Sequence, residues 1–160
     1  MKHIWSVLAK KIIVDASSNN VSIMETLEEI RITYSGEPNE DPSSHLAEQK
    51  KIQLIPLHFE LVNLWYKEKT NQEELADVKI EIISPSGSVI GRKDTNLTIP
   101  KQFKRFRQTI LSDAIPFTIS GEYYIKVLIR EDGQKKYREV SSIPLDLHFS
   151  LEEKVPSRHN

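Results

Sequence analysis

Apolar and polar residues alternate along this chain with a period near two, from Trp5 to Phe149, and clusters of turn-forming residues interrupt the rhythm. A strand turns every second side chain to the same face. The pattern therefore predicts an all-β sandwich, with one face of each strand packed and the other solvated. His3 to Val14 is the first predicted strand. Ser17-Ser18-Asn19-Asn20 follows as a turn, because Asn tolerates positive φ and Ser bonds its local backbone. The next stretch carries two signals. Val21 and Ile23 read as strand, whereas Ile23, Leu27 and Ile30 are spaced like one helix face and Ser22 with Glu25 makes a capping box. The expectation is a short strand, a helical turn over Met24 to Glu29, then strand again through Ile30, Ile32 and Tyr34.

Ser35 to Lys51 is polar, contains Gly36, Pro38 and Pro42, and predicts a long loop. Ile52 to Lys67 is the longest predicted strand. Leu57, Phe59 and Leu61 share one face, then Val62, Leu64 and Tyr66 share the other. That change of phase predicts a bulge near Leu61-Val62 or a strand buried on both faces. Trp65 closes this run and is expected to anchor the core. Lys67 to Asp77 reads as a polar connection. Val78, Ile80 and Ile82 make a half-buried strand, closed by the turn Ser84-Pro85-Ser86-Gly87. Ser88 to Ile90 is expected to return as its hairpin partner, and Asn96 to Ile99 as a short strand stopped by Pro100. Phe103 to Leu111 reads as another strand. Tyr123, Ile125, Val127 and Ile129 form a strong one after Gly121, and Asp132-Gly133 is a hairpin turn. Tyr137 to Phe149 supplies the last strand or strands, with Pro144 at a bulge or edge. The organisation predicted is a single sandwich domain over residues 1–150, with at most one or two short helical turns, and a frayed tail over 151–160.

The chain has 160 residues, which suits one domain. A domain of this size buries roughly 70% of the surface of its unfolded chain, so it needs no disulfide or metal staple. The formal net charge of −1 announces no nucleic-acid or membrane partner. The absence of cysteine excludes disulfides, thiolate zinc sites and cysteine nucleophiles, and it fits a reducing compartment. The apolar stretch Ile4 to Val14 is interrupted by Lys10 and Lys11, unlike a signal peptide, and no run approaches the ~18 apolar residues of a membrane helix. A soluble cytoplasmic protein is the expectation.

Candidate chemistry is sparse. His3, His45, His58, His148 and His159 show no metal-ligand spacing. His58 and His148 sit inside strand patterns, where they could approach each other in space, and read as strand-face residues. Asp41, Asp77, Asp94, Asp113, Asp132 and Asp146 are scattered, with no D-x-D pair to begin a calcium loop. No metal or cofactor is expected. No G-x-S-x-G elbow is present. Glu28-Glu29 and Glu73-Glu74 are neighbours that point to opposite faces of a strand, so neither is poised as an acid/base dyad. None of the five glycines builds a phosphate loop.

One local feature has the character of a site. Lys101, Lys104, Arg105 and Arg107 are interleaved with Phe103 and Phe106, with no acid between them, and Arg92-Lys93 lie shortly before. Cations beside aromatics hold phosphates and stack bases. The competing reading is a solvated edge strand whose charges discourage edge-to-edge pairing.

Trp5-Ser6-Val7-Leu8 with Asp15, Asn19-Asn20-Val21-Ser22, Leu61-Val62-Asn63-Leu64-Trp65, Ile83-Ser84-Pro85-Ser86-Gly87 and Gly121-Glu122-Tyr123 together resemble a family of small bacterial proteins catalogued as a domain of unknown function. The resemblance spans most of the chain and implies a single immunoglobulin-like or C2-like β-sandwich. It implies no activity and no site residues. The function expected is a non-catalytic interaction or scaffolding module with an unidentified protein partner. The alternative is an anion- or nucleic-acid-binding module using segment 101–107.

Overall fold

The computed structural model describes residues 1–34, 52–69 and 71–151. Among these residues nine strands are formed: β1 (Lys2–Val14), β2 (Val21–Thr26), β3 (Glu29–Tyr34), β4 (Gln53–Tyr66), β5 (Glu74–Ile83), β6 (Val89–Ile99), β7 (Arg105–Phe117), β8 (Gly121–Glu131) and β9 (Arg138–Leu151). They build two sheets, ordered β2-β1-β4-β7 and β3-β9-β8-β5-β6. The fold is all-β and sandwich-like, and one sheet curls into a half-barrel. Among the described residues no helix is long and apolar enough to cross a membrane. The predicted loop over Ser35 to Lys51 and the predicted tail beyond Leu151 lie outside the described residues, as do His45, His159 and Asp41.

The alternation read from the sequence places the core. Tyr123, Ile125, Val127 and Ile129 of β8 face Leu61 and Trp65 of β4, Leu8 of β1 and Ile110, Ile115 and Phe117 of β7 within one buried cluster. Trp65 is fully buried, as expected of an anchor. Each apolar side chain removed from water in this way contributes on the order of 1.5–3 kcal/mol.

Two details differ from the sequence expectation, and two others are decided between the alternatives it offered. The helical turn over Met24 to Glu29 does not form. β2 pairs with β1 through Ile12 opposite Ile23, and Glu25 takes a positive φ of 54°. The chain then steps from one sheet to the other across Leu27 and Glu28, which turns Leu27 and Ile30 onto the core without a helix. Of the two readings of the phase change in β4, the strand buried on both faces at Leu61-Val62 is the one formed. Both residues are buried, one on each face, and the register shift lies between Pro56 and Phe59. Val89 to Ile99 is one strand rather than two, because β5 pairs with it along its length. Pro144 lies within the paired part of β9, opposite Tyr124, but β3 joins β9 only from Asp146 onward. Among the described residues no strand pairs with that other side of β9 at Pro144, so it is an edge there and the missing N–H costs no ladder bond.

At the step from β7 to β8 the Tyr123 hydroxyl accepts from the N–H groups of Thr118 and Ile119, at 3.0 and 3.1 Å, and donates to the Ile119 carbonyl at 2.6 Å. One side chain thus satisfies the corner where the chain changes sheet.

Candidate protein-interaction surface

Segment 101–107 straddles the turn into β7 and the first part of that strand. Lys101 and Lys104 lie in the turn, Arg105 and Arg107 on the strand. The turn is held from below by Lys67, whose side chain is buried. Its ammonium donates to the carbonyls of Pro100 and Lys101, at 3.2 and 2.6 Å, and its N–H donates to the Lys104 carbonyl at 2.9 Å. Capping on carbonyls removes most of the penalty of burying that charge. Arg105 stands opposite Tyr66 and Arg107 opposite Leu64 on β4; Lys2 and Trp5 continue those rows on β1. Directly opposed residues share a face, so Lys2, Arg105 and Arg107 lie on the face turned away from the core. The Lys104 ammonium sits 5.5 Å from the centre of the Tyr66 ring, a cation–π contact.

The structure does not bring the four basic residues together as one free patch. The Arg107 guanidinium donates to the carbonyl of Asn19 at 2.7 Å and to its side-chain oxygen. Asn19 is in the β1–β2 turn, far along the chain from the Trp5 row. Run straight, β1 from Trp5 to Val14 would span roughly 30 Å. β1 leaves β4 after Ala9, so the β1–β2 hairpin bends back over the outer face until its tip meets Arg107. That bend accounts for Ala9 and Val62, which are buried although they face away from the main core.

The hairpin arm itself is poorly covered. Ile13, Val14, Ile23 and Met24 are between 38% and 50% exposed. At its tip, Asp15 accepts from the N–H and hydroxyl groups of Ser17 and Ser18. These bonds, led by the Ser17 hydroxyl, hold the Asp15 carboxyl far below the usual range.

A polar ladder crosses the core-facing side of β1, β4 and β7, and the linear reading missed it. His3 Nε2 is 2.7 Å from Ser6 Oγ, Ser6 Oγ is 2.6 Å from Asn63 Oδ1, and Asn63 Nδ2 is 3.4 Å from Gln108 Oε1. Trp65 Nε1 also reaches Gln108 Oε1, at 3.3 Å. An indole N–H only donates, which fixes the orientation of every partner. Gln108 presents its oxygen, Asn63 turns its nitrogen to Gln108 and its oxygen to Ser6, and Ser6 donates to Asn63. His3 Nε2 must then carry a proton and donate to Ser6. An imidazole acting as base toward a serine accepts from the hydroxyl; here the direction is reversed. The clue in the sequence is polar residues where alternation calls for apolar ones, as in Leu61-Val62-Asn63-Leu64-Trp65 and Phe106-Arg107-Gln108-Thr109-Ile110.

Beside this ladder the Met1 ammonium is 2.8 Å from Glu68, 2.9 Å from Glu131 and 3.6 Å from Glu74. Burial pushes the ammonium pKa down, but the bonds to Glu68 and Glu131 outweigh it and the pKa is raised. His58 and His148 are not neighbours. They lie on different sheets, His58 beside Asp113 at 2.7 Å and His148 beside Glu29 at 3.9 Å.

No family model matches the chain, and no curated protein matches it. Among solved structures, one similar chain is the "X-ray structure of Northeast Structural Genomics Consortium target SoR45". It is 12% identical, and the match covers 69% of this chain and 95% of that chain with a TM-score of 0.32.

Proposed function

We propose that this protein is a non-catalytic interaction or scaffolding module that binds a protein partner. The carrying observation is the β1–β2 arm. It extends past β4 and holds Ile13, Val14, Ile23 and Met24 outside the core cluster. The register sets Val14 and Ile23 on one face of the ribbon, together with Ile12 and Val21, and apolar surface left in water on a small domain marks a contact site. The ladder supports the same reading, since its one Ser–His contact runs in the direction that leaves the hydroxyl unactivated. The proposal includes a cytoplasmic protein that needs no metal or cofactor, and kinship with the bacterial family named above. It also assigns an immunoglobulin-like type to the sandwich. The support is the Tyr123 hydroxyl bonding back to Thr118 and Ile119 where β7 passes to β8, as tyrosine corners of that type do.

The test is cross-linked affinity capture with wild type and the double variant Val14→Ser, Ile23→Ser. Loss of a specific captured protein, with an unchanged far-UV spectrum, is expected. Identical capture by the two proteins would remove the arm as the contact and the main support for the reading. The anion-binding alternative on Lys101, Lys104, Arg105 and Arg107 is weakened by the engagement of Arg107 with Asn19.

A further inference from the structure

We propose that the free half of the β7 edge, Arg105 to Thr109, binds an extended acidic peptide segment by strand addition, with carboxylates at alternate positions of that segment. The proposal rests on the interaction reading and supplies the chemistry of a partner at a surface separate from the hairpin arm.

The backbone supports it first. β7 is the last strand of its sheet, so one side of it pairs with no strand among the described residues. Its second half is nonetheless covered. The Lys93 ammonium donates to the Leu111 carbonyl at 2.9 Å, and Gly91 of β6 lies against the Pro116 ring. Among the described residues the first half lacks such a cover. Lys104 turns its carbonyl toward β4, where it accepts from Lys67. Backbone direction alternates along an antiparallel strand, and the register with β4 is unbroken from Arg105 to Ser112. Arg105, Arg107 and Thr109 therefore point their N–H and C=O groups outward. The outward Leu111 carbonyl, met by Lys93, agrees with that parity.

The side chains state the chemistry. The residues with outward backbone also place their side chains on the outer face, opposite Tyr66, Leu64 and Val62. An added antiparallel strand would set its own alternate side chains beside Arg105, Arg107 and Thr109, and Arg105 carries the charge contact because Arg107 is tied to Asn19. Opposite charges at such cross-strand positions attract, and like charges repel. Elsewhere the surface pairs its arginines with acids: Arg92 with Glu81, Arg130 with Asp77, Arg138 with Glu131 and Arg31 with Glu29. Among the described residues, Lys2, Lys101, Lys104, Arg105 and Arg107 have no carboxylate within 4.0 Å. Two other occupants fit less well. A second copy of β7 would bring arginine rows together. A nucleic acid would want an open aromatic face, and Lys104 already covers Tyr66.

The experiment uses the full chain, labelled with ¹⁵N, and three seven-residue probes. One is Thr-Glu-Val-Glu-Val-Glu-Thr. The second has the same composition with its three Glu contiguous. The third replaces Glu by Gln. The alternating peptide should bind best and slow amide exchange at Arg105, Arg107 and Thr109. Arg105→Glu should weaken it about tenfold. Thr109→Pro removes only an outward N–H, so it should weaken binding while leaving the melting temperature close to wild type. Equal binding by the contiguous isomer would overturn strand addition, and so would the absence of protection at those three amides. An oligothymidylate that protects the same amides more strongly than the peptide would overturn the peptide assignment. Protection confined to β2 would refute the β7 edge and spare the interaction reading. The capture experiment on the arm decides that reading separately.

Discussion

His3 and Ser6 lie three residues apart on β1 and yet point to the same face, with Nε2 and Oγ 2.7 Å apart. Alternation alone would set them on opposite faces. The register with β4 slips between His3 and Trp5, and the extra residue restores the phase. The bulge thus joins the edge of the core to the buried Asn63–Gln108 pair.

Burial pushes the His3 pKa below its ordinary value of 6.5, with a smaller push from Arg138, against a backbone bond to Trp5 that raises it. The unfolded chain then takes up a proton at a pH where the folded one stays neutral. Stability is full above the unfolded pKa and is lost as pH falls from 6.5 toward the folded pKa. Glu131 and Glu68 are also lowered, but from 4.5, so their loss begins in a more acid window. His3→Gln keeps a donor for Ser6 and removes the titration. Urea unfolding at steps between pH 7 and pH 5 should show wild type losing stability faster than the variant. Parallel curves would refute the assignment.

Trp65 combines complete burial with one hydrogen bond. Trp65→Ala should cost about 3–5 kcal/mol, because the cavity adds to the lost transfer energy. Trp65→Phe keeps most of the packing and removes the indole donor, for about 1 kcal/mol more than packing alone. Denaturant midpoints separate the two. A near-wild-type alanine variant would contradict the core placement.

Gly91 has no room for a side chain. A Cβ there would meet Pro116 Cγ at 2.8 Å, and Ile82 lies behind it. A proline ring cannot rotate away, so Gly91→Ala should destabilise by roughly 1–3 kcal/mol through strain between β6 and β7. Val89→Ala, at an exposed position on the same strand, should change little. Thermal melts of the pair test this.

Arg107→Ala should release the hairpin tip without unfolding the molecule. Amide exchange in Val21 to Thr26 should quicken, while that of Tyr123 to Ile129 stays at the global rate, because only the former depends on the tie to Asn19. Equal acceleration in both segments would mean that Arg107 supports the whole domain.

Much of the fold was legible because period-two alternation is a direct consequence of burying one strand face. Val78 to Ile82 and Tyr123 to Ile129 sit in the core as their spacing required. The stretch after Ile23 misled because spacing does not say what lies across the strand. Leu27 and Ile30 reach the core by a step between sheets, while Ile23 stays outside. The basic segment was visible as composition. Its division into an engaged Arg107 and an outward Arg105 was not, since it depends on a hairpin tip from the other end of the sheet. The polar ladder was hidden for the same reason, its members being spread over β1, β4 and β7.

Two of the connections between the sheets run from edge strand to edge strand, one along each side of the sandwich. Leu27 and Glu28 carry the chain from edge strand β2 to edge strand β3, and Pro100 to Lys104 carry it from edge strand β6 to edge strand β7. The layers are laced along both seams by their own backbone. They cannot be prised apart like the covers of a book, because opening either seam first requires a whole outer strand to be stripped from its neighbour.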